Sequence, residues 1–204
     1  VGPSATAIFG TQGTTKIYKQ GHGGLSVQEA QIRVESGGLA LLLPHPVTAF
    51  RDALYEQRQT FDVHAEGSLV LLDWITSGRM ERGERWSFQS VTSINTVNVG
   101  GELRLHDALK LENGPLQQIK DGAQDASPVD ETTEIGRRMR GYQITGLLVT
   151  CGARSSAVAR HFMASQRRDV FEDVERKRKR QQVESTQIAG GAAGSEGAQL
   201  AEAW

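Results

Sequence analysis

Two tryptophans, two glycines, three arginines and three acids fall within fifteen consecutive residues, Leu72-Asp-Trp-Ile-Thr-Ser-Gly-Arg-Met-Glu-Arg-Gly-Glu-Arg-Trp86. So mixed a segment makes a poor plain strand, and Trp and Arg are the side chains that anchor protein interfaces. Gly78 and Gly83 bracket Arg79 and Arg82, so the backbone is expected to turn there and present both guanidiniums along one rim. Two readings of Arg79 stand open: a pair with Glu84 that pins the turn, or a reach to a carboxylate on a partner. Trp74 and Trp86 also raise a ligand-binding alternative, in which both rings stack on a sugar.

The remaining chemical motifs fail on order or spacing. Gly10-Thr-Gln-Gly-Thr-Thr-Lys16 holds the ingredients of a phosphate loop but not its order, and Ile17 stands where Ser or Thr would bind magnesium. Gly21-His-Gly-Gly24 resembles an esterase oxyanion loop, yet no G-x-S-x-G nucleophile elbow occurs in the chain. His22, His45, His64, His106 and His161 never stand at i, i+3 or i, i+4, and there is no H-E-x-x-H. The Arg176–Arg180 run follows Glu172, Asp173 and Glu175 and reads as a solvated helix end, where cations are favoured by the dipole, ahead of a nucleic-acid patch. Asp107 shares the parity of Leu103, Leu105 and Leu109, which predicts a bulge there or a partner for the carboxylate.

The elements that must carry these residues follow from the glycines. There are 23 in 204 residues, about 11% against the usual ~7%. Val34-Glu-Ser-Gly-Gly-Leu39, Val63-His-Ala-Glu-Gly-Ser-Leu69 and Val97-Asn-Val-Gly-Gly-Glu-Leu103 share one plan, and Val1–Ala5 resembles a degenerate fourth copy. Spacings of roughly 30–35 residues suggest a stacked repeat. Ile32 and Val34 alternate with Arg33 and Glu35, and Phe61, Val63 and Ala65 alternate with Asp62 and His64, the mark of strands with one wet face. The expectation is a mainly β protein of stacked antiparallel sheets in a β-helix-like array, its glycines closing hairpins.

Residues 113–133 read as a surface loop, with Asp130 capping a short helix through Glu134, Ile135 and Met139. Tyr142–Cys151 returns to strand. Ser155 or Ser156 is expected to cap a helix reaching about Val183, followed by a Gly/Ala/Ser linker. The expected division is a β domain over 1–153, a helical segment over 154–189 and a linker over 190–204.

Composition limits the function classes. Net charge is −1 and mean hydropathy −0.40, which excludes a uniformly basic nucleic-acid binder. The longest apolar runs fall far short of the ~18 residues of a membrane span, and no signal peptide is visible. Cys151 is the only cysteine, which excludes an internal disulfide framework and fits a reducing compartment. A chain that opens at Val1 rather than Met and stops at Trp204 reads as part of a longer protein.

Three segments together give the chain a family resemblance. Thr11/Gly13/Thr15/Lys16/Tyr18, then Gly38 through Pro44, then Trp74/Gly78/Arg79/Gly83/Glu84 match, in order and spacing, the T-T-x-G-x-T-K-x-Y, L-P and W-x-x-x-G-R-x-x-x-G-E segments of the UreD (UreH) urease accessory family. The resemblance runs from Val1 to about Cys151. Leu43-Pro-His-Pro-Val47 with Tyr55-Glu-Gln-Arg-Gln59 is most similar to fungal members, and the helix after Ser156 looks like a lineage insertion. The resemblance implies a cytoplasmic, non-enzymatic maturation factor. Its expected partners are UreF, the GTPase UreG and the urease apoprotein, with neither membrane nor nucleic acid among them. It implies no tightly bound cofactor but nickel in transit, and Asp73 and Glu84 are the candidate carboxylates for its path, their oxygen chemistry suiting transient, weak contacts. Lys16, Tyr18, Trp74, Gly78, Arg79, Gly83, Glu84 and Trp86 are the motif residues expected to serve partner binding.

Overall fold

In the computed structural model, residues 1–19, 21, 24–114 and 133–166 are described. Ten strands follow in order: β1 (Thr6–Phe9), β2 (Thr15–Ile17), β3 (Ser26–Val34), β4 (Leu39–Leu42), β5 (Val47–Ala49), β6 (Leu54–Val63), β7 (Ser68–Thr76), β8 (Ser90–Val99), β9 (Glu102–Glu112) and, after helix α1 (Glu134–Met139), β10 (Ile144–Cys151). One sheet runs β1-β4-β7-β5-β2 with β10 on the other side of β7, and the second runs β3-β6-β8-β9. The long strand β7 serves two neighbours: its first half pairs with β4 and its last residues with β5.

The mainly β expectation holds, but the strand direction is corrected. The pairings β1–β4, β2–β5, β3–β6, β4–β7, β5–β7 and β6–β8 are parallel; only β8–β9 and β10–β7 are antiparallel. The reason lies in what the repeat glycines do. Val34–Leu39 and Val63–Leu69 carry the chain from one sheet to the other, β3 to β4 and β6 to β7, instead of reversing it within a sheet. Strands one repeat apart therefore run the same way and meet in register, Val34 opposite Val63 and Thr6 opposite Leu39. Val1–Ala5 stacks on the Glu35–Leu39 turn through Glu35 N–H to Val1 O (3.0 Å) and Ser4 N–H to Ser36 O (2.9 Å), as a fourth copy would. Only the Val97–Leu103 copy is a hairpin, closed at Gly100-Gly101 between β8 and β9.

The bulge expected at Asp107 lies elsewhere. Val97 faces Leu105 and Asn98 faces Leu103, so Arg104 is the extra residue and Asp107 sits in regular register opposite Asn95.

The inward faces of the two sheets pack on each other in two apolar clusters. One joins Val34, Phe61, Val63 and Val97 to Ala40, Leu42, Leu69 and Leu71. The other joins Tyr55 and Val91 to Ile17, Val47, Ala49 and Ile75, and takes in Trp86, Phe88 and Ile135 of α1. Thr133, not Asp130, caps α1: its Oγ1 accepts from Gly136 N–H at 3.0 Å. Asn113 ties this end together, its Nδ2 donating to Trp86 O and Phe88 O (both 2.7 Å) while its Oδ1 accepts from Ile135 N–H. Val1–Ser156 form one compact unit. The chain is helical over 156–166, and the Ser155 hydroxyl donates back to Cys151 O and Gly152 O. His22, Asp130, most of the 113–133 loop, the Arg176–Arg180 run and the 190–204 linker lie outside the described residues.

Candidate functional site

Between the two apolar clusters, the inward parity of the second sheet turns polar. Along β6 the inward side chains run Tyr55, Gln57, Gln59, Phe61, and along β8 they run Val91, Ser93, Asn95, Val97. Parallel register sets Gln28, Gln57 and Ser93 side by side, and Gln59 beside Asn95. The facing sheet supplies Asp73 from β7, only 8% exposed. Its Oδ1 accepts from Gln57 Nε2 (3.0 Å), and its Oδ2 accepts from Ser93 Oγ (2.5 Å) and Asn95 Nδ2 (2.8 Å). The hydroxyl bond has the length of a charge-assisted O–H···O⁻ contact. Tyr55 donates to Gln57 Oε1 and Gln28 Oε1 at 3.1 Å each, and burial, with the Asp73 charge second, pushes its phenol up to about 12. Tyr55 thus stays a neutral donor.

All three of these donors to Asp73 are neutral. A buried carboxylate without a cation carries a desolvation cost that neutral donors only partly offset. Beside it lies a pocket of about 200 Å³ whose lining is mostly apolar, with Phe9, Leu42, Pro44, Val47 and Trp74 beside Thr11, Gln57, Gln59 and His45, and with Asp73 itself in the wall. Its wall offers one carboxylate, one imidazole and several amide and hydroxyl groups within a larger apolar surface. No group of three or more His, Cys, Asp or Glu able to hold a metal tightly occurs among the described residues.

The Gly78–Trp86 turn forms a second group. Arg79 lies over the Phe50 ring, 4.1 Å to its centroid, and the Tyr18 ring meets Phe50 edge-on at 4.8 Å. Arg79 Nε donates to Glu84 Oε2 at 2.8 Å and its Nη2 to Glu84 Oε1, a bidentate pair. Of the two readings of Arg79, the intramolecular pair is the one the structure forms. Both Glu84 oxygens are taken up in it. Gly78 (φ +130°) is required by the turn, because a Cβ there would meet Glu84 O at 3.0 Å and the backbone disfavours any side chain; Gly83 (φ +71°) faces open space.

The predicted residues therefore divide. Asp73 and Trp74 meet at the pocket, where Trp74 Nε1 donates to Pro44 O at 2.8 Å. Tyr18, Arg79 and Glu84 meet through Phe50 at the turn. Lys16 stands exposed on β2. Trp86 is 1% exposed and donates through Nε1 to Tyr142 O at 2.9 Å, so the paired-ring sugar platform is overturned: Trp86 is core. Gln57, Gln59, Ser93, Asn95 and His45 were missed. For the four on β6 and β8 the signal was polar residues at inward parity within otherwise apolar strands; His45, exposed between β4 and β5, had none.

The Arg79 hydrogen bond, opposed by desolvation, holds the Glu84 carboxyl below the usual carboxylate range. Folded Glu84 thus releases its proton more readily than the unfolded chain does. Its stabilisation is complete above the unfolded carboxyl value near ~4.3 and is lost as pH falls through the lower folded one. Glu84→Gln should remove that part of the acid sensitivity, seen as a smaller melting-temperature drop between pH 6 and pH 3. Arg79 is partly exposed, so the difference should stay within about 4 °C. An unchanged acid limb in the variant would show that the pair does not couple to folding.

Fold and site together describe a mainly β protein with a polar network, centred on a buried carboxylate, between its two sheets. The chain belongs to the UreD urease accessory protein family, whose family model matches residues 1–198, well past the stretch that carries the sequence motifs. It is 36% identical over 144 residues to urease accessory protein D of Arabidopsis thaliana, covering 70% of this chain and 49% of the relative. UreD of Anaeromyxobacter sp. (strain Fw109-5) is 34% identical over 163 residues, covering 80% of this chain and 49% of the relative. Fungal relatives include urease accessory protein 4 of Cryptococcus neoformans, 33% identical over 136 residues, covering 55% of this chain and 42% of the relative. The family is one of accessory proteins, not enzymes. The chain spans about half the length of the curated relatives it matches. No helix among the described residues is long and apolar enough to cross a membrane.

Proposed function

We propose that this protein is a urease maturation factor: a non-enzymatic cytoplasmic scaffold that links the urease apoprotein to UreF and the GTPase UreG and assists nickel insertion. Family membership supports the urease side of this reading. The observation that carries the nickel side is Asp73, a buried carboxylate held only by neutral donors in the wall of a pocket between the sheets. Nickel is cargo here, not a resident cofactor. Asp73 is its proposed contact; Glu84, committed to Arg79, pins the turn instead.

The one-repeat parallel offsets support a wound, β-helix-like stacking that leaves β1 and β3 as sheet edges. Ile8, Phe9, Val27 and Leu43 are exposed there or beside it, and exposed apolar clusters mark interaction surfaces. Tyr18 and Lys16 are the further proposed partner contacts. The test is co-expression of the full-length protein with UreF, UreG and the urease subunits of the same organism, with affinity capture of UreF. This protein should co-purify with UreF, UreG and urease, and its soluble yield should rise with UreF. Equal yield without UreF, and no co-purification, would reject the scaffold.

A further inference from the structure

The chain crosses from the first sheet to the second at one end of the molecule, through residues 50–53 between β5 and β6 and 77–89 between β7 and β8. The turn from α1 into β10 closes the same end. There Trp86 Nε1 donates to Tyr142 O at 2.9 Å, and Ser77 N–H donates to Gln143 O at 2.8 Å. Departures from ordinary local structure concentrate here. Asp52 (φ +61°), Trp86 (φ +51°) and Arg140 (φ +49°) adopt the left-handed backbone that bulky side chains disfavour, and Ser4 is the fourth such residue among those described. Ser77 Oγ and Gln143 Oε1, both buried, have no hydrogen-bond partner among the described residues. Backbone strain and unsatisfied polar groups gather at functional sites.

Charge at this end is equally uneven. Lys19 is matched by Asp52, Arg79 by Glu84 and Arg138 by Glu134. Arg82, Arg85, Arg137 and Arg140 form no ion pair among the described residues, and Glu81 is the unpaired acid beside them. The whole chain carries −1, so the excess is local. Met80, Tyr18 and Tyr142, the last 73% exposed, stand among these cations. Arginine, tyrosine and methionine are the side chains enriched where proteins bind proteins. A nucleic-acid face would instead be set by cations against phosphates, with no use for Glu81, Glu134 or an exposed thioether.

From this we infer that the crossing end is a docking face for an acidic protein surface, one that sets aliphatic or aromatic side chains among its carboxylates. The inference rests on the proposed scaffold reading and deepens it. A scaffold that links two partners needs two faces; the apolar β1 and β3 edges offer one, and this end offers the other. Arg82, Arg85, Arg137 and Arg140 supply the charge, and Met80 and Tyr142 the anchors. Such exposed charges steer association and lose their effect as salt rises.

The experiment measures fluorescence anisotropy of three labelled probes with the full-length protein: a glutamate-rich Glu/Tyr copolymer, poly-glutamate and poly(U) RNA. The copolymer should bind tightest and weaken as salt rises from about 50 to about 200 mM. A triple variant, Arg82→Glu with Arg137→Glu and Arg140→Glu, should weaken it at least about tenfold with circular dichroism and melting temperature unchanged. Tyr142→Ala, which keeps the backbone bond to Trp86, should weaken the copolymer about threefold or more and poly-glutamate less. Arg104→Glu, on β9 and away from this end, should change nothing. Copolymer binding untouched by the triple variant, or lost equally in Arg104→Glu, would overturn the assignment. Tighter binding of poly(U) would make this a nucleic-acid face instead. Copolymer binding that appears only when residues 115–132 are replaced by a Gly/Ser linker would make the chain's own segment the occupant. None of these probes contains UreF, UreG or urease, so this inference and the scaffold reading, with its co-purification test, fail separately.

Discussion

Trp86→Ala is expected to cost about 3–5 kcal/mol, the range for emptying a fully buried aromatic site. The indole packs edge-on against Phe88, with centroids 6.0 Å apart, in the cluster that joins Ile17, Tyr55, Ile75 and Val91 to Ile135. Its Nε1 bond to Tyr142 O would also be lost, leaving that carbonyl without its side-chain donor. Domains of this kind hold about 5–15 kcal/mol in all, so the variant should be largely insoluble at 37 °C, even with partners present. A soluble variant with a cooperative transition near that of wild type would show that Trp86 is not structural. The ligand-platform alternative would then need reconsidering.

Asp73 should show two separable effects. Asp73→Leu leaves Gln57 Nε2, Ser93 Oγ and Asn95 Nδ2 facing an apolar group, and each buried donor without an acceptor costs about 1–3 kcal/mol. Part of that is recovered, because Gln57 Nε2 and Asn95 Nδ2 also reach Ser93 Oγ at 3.3 and 3.4 Å. The melting temperature should still fall by several degrees. Asp73→Asn keeps the shape and one acceptor oxygen while removing the charge. A unit charge pair about 4 Å apart is worth about 4 kcal/mol at the effective dielectric of a protein site, and a divalent cation feels more. Asp73→Asn should therefore fold and co-purify with partners, yet lower urease activation in cells at least about tenfold. Activation equal to wild type in a soluble Asp73→Asn protein would remove Asp73 from the nickel path and leave it a structural acceptor.

The repeat was legible because each copy places a valine and a glycine at the same point of the sheet-to-sheet crossing, at Val34–Leu39 and Val63–Leu69. Strand direction was not legible from the same residues. Alternation at Ile32–Glu35 or Phe61–Ala65 reports one buried and one wet face. In most proteins that signals an antiparallel sheet. Here parallel strands carry it, since each sheet is covered on its inner face by the other.

The Trp74–Trp86 segment was found by composition, but composition could not tell anchor from core. Trp86 is buried because Asn113 and α1, far along the chain, close over it. The polar belt was recoverable in principle. Tyr55-x-Gln57-x-Gln59-x-Phe61 and Val91-x-Ser93-x-Asn95-x-Val97 put amides and a hydroxyl where aliphatics belong, which requires a buried partner such as Asp73. The contact of His45 with Thr11 was beyond reach, because the two residues lie 34 apart in the chain.

The most direct measurement of the central claim is the nickel content of urease purified from cells lacking this protein, set beside its specific activity. Urease protein should be present at ordinary abundance with little nickel and little activity, and both should return when the wild-type gene is restored. Urease carrying its full complement of nickel and full activity in the absence of this protein would contradict the account.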